Sequence, residues 1–419
     1  MKKKKEAPPK EHKQNWKEVY ATPEDIKAFL ADTIYLRHNV ITGRVECRIP
    51  SNYQFVGSKE WQPISDRIVN SLWTELSKQK PVRVQDIYRV IESDFVPDFH
   101  PFKHYLEHLP PWNGENHILA MSTTVMVKGD VDEQLLFADY LTRWLVGMVA
   151  GWVDDTVVNN VILVLIGEQG SYKTTWFNYL LPPELSQYFY TKTNANRMGR
   201  DDLLTLAQYG LVCCEELDTM RPSELNQLKA AVTMPSIDER AAYAHFHEHR
   251  KHIASFCGTG NNAQFLSDPT GNRRWLPFEV DSILSPRENP FDYAGIYSQV
   301  YALYQQGFQF WFGQTDIQRL AVHNRQFETP QIEQELVDVF FRKPLDKEVG
   351  EYMPVSRAMQ VIGGSITQHI NASRLGQAFT SQGFEFKRTS HSRGYIVVQR
   401  DAGEIKSHLT KLAEDGRVF

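Results

Sequence analysis

The stretch "GEQGSYKTT", which ends at Thr175, has the residue types of a phosphate-binding loop. It follows the apolar run "VILVLI", as expected for a loop between a buried strand and a helix. In the pattern G-x-x-x-x-G-K-[ST], backbone N–H groups surround a polyphosphate, the lysine reaches its β- and γ-phosphates, and the hydroxyl binds Mg²⁺. Lys173 and Thr174 are the candidates for the lysine and hydroxyl roles. The other candidate nucleotide-binding residues are Gly167, Gly170, Ser171, Tyr172 and Thr175.

Tyr172 stands where the pattern has glycine, so this part of the match is imperfect. The loop must adopt a backbone conformation there that a residue with a Cβ atom can hold. Taken alone, such a loose match is also compatible with coincidence. We nevertheless expect a working site, because a decayed loop would be expected to have lost Lys173.

The segment "GLVCCEELD" is an apolar run that ends in adjacent carboxylates. Glu215 is the candidate ligand of Mg²⁺, and Glu216 is the candidate catalytic residue that polarises the attacking water. Asp218 is a weaker candidate for the same work. The alternative is a strand that simply runs into an acidic surface turn.

Two further polar positions follow in the order that a nucleoside triphosphatase requires. Asn261 ends the apolar run "HIASFCGTGN" and is a candidate to orient the water or to sense the γ-phosphate. Arg273 and Arg274 precede another apolar run, and an arginine there is a candidate finger that neutralises charge developing on the γ-phosphate. The alternatives are an asparagine that forms a turn and a pair of surface arginines.

The elements that position these residues are short apolar runs between about 155 and 285, which alternate with helix-length polar segments. This pattern predicts the buried sheet of an α/β domain. Upstream, three- and four-residue apolar spacing predicts mostly helix, interrupted by a hairpin-like stretch near "HNVITGRVECRIP". We therefore predict an α/β P-loop NTPase core between two flanking domains. The predicted segments are a disordered basic tail (1–13), a mostly helical N-terminal domain (14–150), the P-loop ATPase domain (151–330) and a winged-helix-like C-terminal domain (339–419).

The composition is that of a soluble globular protein, with 42% hydrophobic residues, 23% charged residues and a net charge of −5. No apolar run is long enough for a membrane span, and the basic N-terminus lacks the apolar core of a secretory signal. None of the four cysteines forms a C-x-x-C pair, which argues against a zinc site or a disulfide framework. We expect a cytoplasmic location and no membrane partner.

Taken together, these motifs resemble the virulence-associated protein E family, which is related to the superfamily 3 helicases of phages, plasmids and integrated elements. The resemblance covers roughly residues 35–285, and "CGTGNNAQFLSDPTGNRRWLPFEV" is its most specific part. It implies an AAA+-like ATPase that uses ATP and Mg²⁺ and assembles into a homo-oligomeric ring, expected to be a hexamer. The arginine finger would act on the ATP of the neighbouring subunit. The chain departs from the family at Tyr172 and in having Glu215 rather than aspartate, and any primase partner is expected to be a separate chain.

Two stretches are candidates for contact with single-stranded DNA. Alternating residues in "ERAAYAHFHEHRKHIASF" predict a β-hairpin, and superfamily 3 rings carry such a hairpin in their central channel. A metal site and a plain solvated hairpin are the alternatives there. The C-terminal segment 342–419 has 12 Lys and Arg against 8 Asp and Glu, and its predicted hairpin is basic; protein docking is the alternative for it. The candidate nucleic-acid contacts are His245, His247, His249, Arg250, Lys251, Lys387, Arg388 and Arg393.

Three functions fit these observations. The leading hypothesis is an ATP-driven DNA helicase or translocase that replicates a phage or mobile element. The second is an ATPase that remodels another target, for instance in phage interference. The third is a DNA-binding replication scaffold that does not hydrolyse ATP, which Tyr172 favours.

Overall fold

The computed structural model describes residues 20–50, 60–193, 200–239, 248–266, 272–329, 332–345, 348–364, 370–389 and 392–414. The helices among them are α1 (Pro23–Thr33), α2 (Asp66–Ser77), α3 (Val84–Ile91), α4 (Pro101–Glu107), α5 (His117–Ser122), α6 (Val131–Val153), α7 (Lys173–Asn178), α8 (Arg200–Gln208), α9 (Pro222–Val232), α10 (Tyr293–Gln305), α11 (Gln314–Asn324), α12 (Ile332–Phe340), α13 (Val355–Gly363), α14 (Ala372–Ser381) and α15 (Ala402–Glu414). The strands are β1 (Tyr35–Asn39), β2 (Arg44–Arg48), β3 (Gln62–Pro63), β4 (Asp98–Phe99), β5 (Val125–Val127), β6 (Ile162–Ile166), β7 (Phe189–Lys192), β8 (Leu211–Cys214), β9 (Ser236–Glu239), β10 (Glu248–Lys251), β11 (Ser255–Gly260), β12 (Trp275–Ile283), β13 (Phe341–Arg342), β14 (Glu351–Pro354), β15 (Glu385–Arg388) and β16 (Arg393–Gln399). The predicted α/β class is confirmed. The basic tail predicted at 1–13 lies outside the described residues.

The chain divides into two compact units. The first contains the described residues up to 263 together with 272–324, and the second contains 264–266 together with the described residues from 325 onward. The second unit therefore starts before the predicted position 339, because its first helix, α12, already belongs to it.

A small four-stranded sheet lies near the start of the first unit, with the strand order β3-β2-β1-β4. Strands β1 and β2 form the hairpin predicted in this region, and β3 and β4 extend it on either side. One face of this sheet shares an apolar core with α1, α2 and α3, where Leu30, Cys47 and Leu72 are almost fully buried. The N-terminal segment thus combines helices with a sheet.

The central sheet of the first unit has the strand order β5-β12-β6-β11-β8-β7. The five strands from β12 to β7 are parallel, and β5 pairs antiparallel with β12. Both β6 and β11 are buried along their whole length, as is typical of parallel strands covered on both faces. The apolar runs between 155 and 285 therefore form the predicted buried sheet.

Helix α6 packs against this sheet through buried tryptophans. The Trp144 Nε1–H donates to the carbonyl of Phe256 at 3.0 Å, and the Trp152 Nε1–H donates to that of Gly210 at 3.1 Å. A buried indole needs such a partner, so these two bonds join the helix to β11 and to the start of β8. The domain boundary predicted at residue 150 accordingly falls inside a helix that belongs to the sheet, and β5 upstream is also one of its strands.

The second unit contains the helix, glycine turn and two strands that the sequence predicted near the C-terminus, as α14, Gly383, β15 and β16. Helix α12, strand β14, helices α13 and α14, and the β15–β16 hairpin follow one another, with β16 pairing with both β14 and β15. The turn before β15 contains Gly383 at φ 74°, which suits glycine because a Cβ atom is unfavourable there. The Tyr395 ring stacks on Phe379 at 4.9 Å and joins the hairpin to α14.

Within the part of the chain that the structure describes, no helix is both long and apolar enough to cross a membrane. All four cysteine side chains are buried, and none forms a disulfide. Burial raises the pKa of the Cys47 thiol to about 11, so this side chain is a protonated, apolar part of the core.

Candidate nucleotide site

The loop between β6 and α7 adopts two left-handed backbone conformations. Gly170 has φ 86°, and Tyr172, the residue before α7, has φ 61° and ψ 12°. The tyrosine therefore occupies the region of backbone space that glycine holds without strain. Gly167 is also constrained, because a Cβ atom there would lie 2.9 Å from the carbonyl oxygen of Val280 on β12.

Lys173 is the buried cation of this loop, with 7% of its surface exposed. Its ammonium donates to the carbonyls of Gly167 and Glu168, each at 2.7 Å, and to the Ser171 hydroxyl at 3.2 Å. Burial lowers the pKa of Lys173, and the nearby charge of Asp218 opposes that shift. The loop thus folds around its own lysine.

The first hydrogen bond within α7 runs from the Trp176 amide to the Tyr172 carbonyl at 2.7 Å. The amides of Lys173, Thr174 and Thr175 precede this bond, so they point out of the helix end without an intrahelical acceptor. Such amides are suited to binding an anion.

The loop, both glutamates and Asn261 line one open cleft of about 400 Å³. Because β11 lies between β6 and β8, the carboxyl ends of the three parallel strands meet at one edge of the sheet. Glu215 and Glu216 follow β8, while Asn261 follows β11. The structure therefore brings these predicted residues together. The cleft is lined by Gln169, Gly170, Ser171, Tyr172, Lys173, Thr174, Thr175, Glu215, Glu216, Thr259, Gly260 and Asn261.

Glu216 is exposed and has φ 54°, so it is the second non-glycine residue with a left-handed backbone among the described residues. Backbone conformations of this kind cost about 1–3 kcal/mol and are held only where the surroundings impose them. Tyr172 and Glu216, the two residues with this left-handed backbone conformation, both line the same cleft.

Asp218 has a different role from the one that the sequence suggested as a weaker alternative. Its two carboxylate oxygens accept the backbone amides of Asn261 and Asn262, each at 3.1 Å. A Cβ atom at Gly260 would lie 3.2 Å from the same carboxylate. Asp218 thus positions the turn that carries Asn261. No local pattern predicts this contact, because the partners are more than forty positions apart in the sequence.

Arg273 and Arg274 lie at the amino-terminal ends of the parallel strands, whereas this cleft lies at their carboxyl ends. They form a short 3-10 turn directly before β12, and the start of β12 pairs with the start of β6: Trp275 lies beside Ile162. The loop follows the other end of β6. The carbonyls of Asn272 and Trp275 both accept from the Asn324 amide group, which fixes the turn. Within one chain the arginines are therefore not brought together with the cleft.

The predicted hairpin is present as β9 and β10, and its tip at 240–247, with His245 and His247, lies outside the described residues. His249 and Lys251 are exposed and alternate with Arg250, so they share one face and Arg250 has the other. The His249 ring lies 2.6 Å from an Asp238 carboxylate oxygen. The guanidinium of Arg250 instead lies against Gly43, where a Cβ atom would come within 2.6 Å of it. The described residues contain no group of His, Cys, Asp and Glu side chains that could hold a metal.

Three basic side chains of the second unit lie on its β15–β16 hairpin. Lys387, Arg388 and Arg393 are all exposed. Arg388 and Arg393 are directly opposite each other, and like charges in that position repel. Among the described residues neither arginine has a carboxylate partner, so an external anion would relieve the repulsion.

Comparison with known proteins identifies the family. Residues 106–329 match the family model described as the virulence-associated protein E-like domain. No curated protein matches the sequence. Among solved structures, the apo structure of the NrS-1 C-terminal region aligns over 90% of this chain and 99% of that chain, with 12% identity and a TM-score of 0.50. A second apo structure of the same region, its A form, aligns over 90% and 99%, with 14% identity and a TM-score of 0.48.

The first of these alignments shows a similarity of fold. The family match covers more than half of the chain and contains the loop, the carboxylates, Asn261 and both arginines. The resemblance to the virulence-associated protein E family is thereby confirmed, and the chain belongs to the virulence-associated protein E-like domain family.

Proposed function

We propose that this protein is an ATP-dependent, ring-forming DNA helicase or translocase that acts in the replication of a phage or mobile element. The observation that carries the proposal is the meeting of three strand ends at one cleft. A buried lysine, two carboxylates and an amide side chain line it, and this is the set of groups that hydrolysis of a nucleoside triphosphate requires. The superfamily 3-like AAA+ assignment rests on this arrangement and on the family resemblance.

Each residue has a role in this proposal. The loop amides and Lys173 hold the phosphates of ATP, and binding frees the lysine from the loop carbonyls that it contacts. Glu216 takes the proton of the attacking water, and Asn261 orients that water. Thr174 and Glu215 would hold Mg²⁺, which supplies positive charge to the phosphate oxygens. The hydroxyl and carboxylate oxygens that line the cleft suit this hard cation.

The position of Arg273 and Arg274 supports a ring. An arginine at the amino-terminal ends of the strands cannot neutralise charge in the cleft of its own chain, but it can do so in the cleft of a neighbouring subunit. A contact between the arginine turn of one subunit and the cleft of the next is head-to-tail, or heterologous. Such contacts form a closed ring when the rotation from one subunit to the next adds up to a full turn. A homo-hexamer is the expected assembly, and a separately encoded primase is the expected partner in replication.

DNA contact is assigned to the two hairpins. His249 and Lys251 share an exposed face of β10, and Lys387, Arg388 and Arg393 are exposed on β15 and β16. Lysine and arginine side chains on an exposed hairpin bind phosphates without reading base sequence, so the affinity should fall steeply with added salt. Arg250 is assigned instead to holding β10 against the β1–β2 turn.

The test is ATP hydrolysis by the full chain, measured with and without single-stranded DNA. The parent should hydrolyse ATP faster with DNA, and Lys173→Ala should lose turnover because no other cation lines the described cleft. Lys78→Ala, which removes an exposed lysine paired with Glu75, is the matched control and should behave as the parent. Turnover that is equal in the parent and in Lys173→Ala would refute the proposal. Turnover that DNA does not change would favour an ATPase that remodels another target.

A second candidate, a DNA-binding scaffold that does not hydrolyse ATP, is favoured by one observation. Tyr172 projects into the cleft, and Lys173 is fully engaged by the loop itself. If this candidate is correct, the parent will assemble and bind DNA without turnover.

A further inference from the structure

One face of the four-stranded sheet of the first unit lies away from the α1–α3 core. Asn39 and Glu46 are buried on this face near the β1–β2 turn, whereas its other end is uncovered. Side chains alternate along each strand, so Leu36 and Cys47 face the core while Tyr35 and Arg48 face the other way. Tyr35 and Arg48 are register partners on β1 and β2, and Trp61 directly precedes β3 beside them. The uncovered face therefore carries a row of aromatic, guanidinium and aromatic groups across three strands.

The planar groups of this row stack on one another. The Arg48 guanidinium lies 5.0 Å from the Tyr35 ring and 5.4 Å from the Trp61 ring. The Arg37 guanidinium continues the row, at 4.1 Å from Trp61 and 3.6 Å from the Phe99 ring. These separations lie within the range of cation–π attraction.

The two arginines differ in what surrounds them. Arg37 is largely buried, with its side chain 18% exposed, and a Glu46 oxygen lies 2.6 Å from its guanidinium. Arg48 is exposed and has no carboxylate partner in the described part of the chain. Tyr35 is half exposed, at 50%. The inner half of the row is thus a satisfied structural contact, whereas its outer half presents an aromatic face and a cation to solvent.

We propose that Tyr35, Arg48 and Trp61 form a binding site for single-stranded DNA, in which a base stacks on the exposed Tyr35 ring and Arg48, supported by the Trp61 ring, binds the adjacent phosphate. Stacking requires exposed base faces, which a duplex hides, so the site selects single strands. The exposed guanidinium of Arg48, which has no carboxylate partner among the described residues, supplies the complementary charge.

The location of the row links it to the proposed DNA hairpin. The turn of the β1–β2 ribbon at Gly43 contacts Arg250 of β10, and Tyr35 and Arg48 form the other end of the same ribbon. The ribbon is about 14 Å long at 3.4 Å per residue. A strand of DNA held at the hairpin would therefore need only a few nucleotides to reach the row. This inference rests on the proposed function in taking DNA as the polymer that the protein handles.

The experiment measures binding of the full chain to two labelled 20-mers by fluorescence anisotropy. One is oligo-dT and the other is an abasic strand that has the same phosphates but no bases. Tyr35→Ala should weaken binding to oligo-dT by about tenfold, and binding to the abasic strand by less than about twofold. Tyr35→Phe should bind both as the parent does, because it keeps the ring. Arg48→Ala should weaken both, because it removes a phosphate contact.

Two further variants guard against loss of fold and against a general charge effect. Tyr35→Leu keeps apolar bulk but cannot stack, so it should reproduce the selective loss of Tyr35→Ala. Arg67→Ala removes an exposed arginine of α2, whose buried residues pack on the covered side of the sheet, and it should change neither affinity.

An equal loss on both strands, or no loss, for Tyr35→Ala and Tyr35→Leu would overturn the inference. An equal loss on a duplex of the same length would overturn the selectivity for single strands. ATP hydrolysis without DNA should be unchanged in all these variants. If the parent does not hydrolyse ATP but the selective loss is observed, the proposed function fails and this inference stands. If DNA stimulates hydrolysis but substitution of Tyr35 has no effect on binding, the proposed function stands and this inference fails.

Discussion

Mixing two inactive variants, Lys173→Ala and Arg273→Ala, should restore about a quarter of the parental ATP hydrolysis if each site is shared between two subunits. The reason lies in the register of β12 and β6. Trp275 lies beside Ile162, and Glu279 lies beside Ile166, so the two ends of this pairing are four residues, or about 13 Å, apart. Arg273 precedes the first end and the phosphate-binding loop follows the second. One side chain cannot span that separation within a chain.

The expected quarter follows from random assembly of equal amounts of the two variants. Half of the subunits carry Arg273→Ala and keep Lys173. About half of these have a neighbour that carries Lys173→Ala and keeps Arg273, so about a quarter of all sites are complete. Each variant alone should lose about 10³- to 10⁵-fold for the arginine and a comparable amount for the lysine. A site completed within one chain would give no recovery at any mixing ratio.

The assay is steady-state ATP hydrolysis against mixing ratio, after the subunits have been exchanged and the exchange has been verified by energy transfer between labelled chains. Arg274→Ala is tested in the same way, because either arginine of the turn is a candidate finger. Arg287→Ala removes another exposed arginine and should keep parental activity. Verified exchange without recovery for either arginine would refute the assignment of the finger to a neighbouring subunit.

Three other predictions concern the site and the stability of the fold around it. Asp218→Ala removes the acceptor of two backbone amides, a loss of about 2 kcal/mol. It should lower kcat for ATP by tenfold or more while KM changes less than about threefold, because it displaces Asn261 and leaves the phosphate-binding loop in place. A change in KM alone would contradict this prediction. The free energy of unfolding in urea should be about 1 kcal/mol higher for Tyr172→Gly than for Tyr172→Ala, because only alanine is strained in a left-handed backbone conformation. A higher value for Tyr172→Ala would show that the loop is not left-handed at this position. Burial lowers the pKa of His100 from 6.5 to about 4, so the unfolded chain binds the proton more readily, and stability should fall by up to about 2 kcal/mol as the pH drops from 6.5 to 4. Because the His100 ring also accepts the Lys103 amide, His100→Asn should keep that cap and remove this part of the dependence of the melting temperature on pH.

Much of the fold follows from local patterns in the chain. The apolar runs predicted the parallel strands, because a strand buried on both faces needs apolar residues throughout. The helix, glycine turn and alternating strands near the C-terminus predicted α14, β15 and β16, because the periodicity of the side chains differs between helix and strand. The domain boundary at residue 150 could not be placed by this route. The sequence signals of α6 are those of any buried helix, and only the bonds of Trp144 and Trp152 show which sheet it packs against.

The amino-acid sequence by itself determined which chemical groups are available: a lysine after a glycine-containing loop, two glutamates after an apolar run, and Asn261 after another. Their order along the chain is enough to predict a phosphate-handling site, since each group needs only a strand end to carry it. The tertiary structure alone decided which strand ends are neighbours. It placed Asn261 between the loop and the carboxylates, and it placed the Asp218 carboxylate where it accepts backbone amides. It also placed Arg273 at the opposite ends of the parallel strands from the cleft. These relations depend on strand order and register, which arise from pairing between segments that are distant in the chain and leave no trace in local sequence.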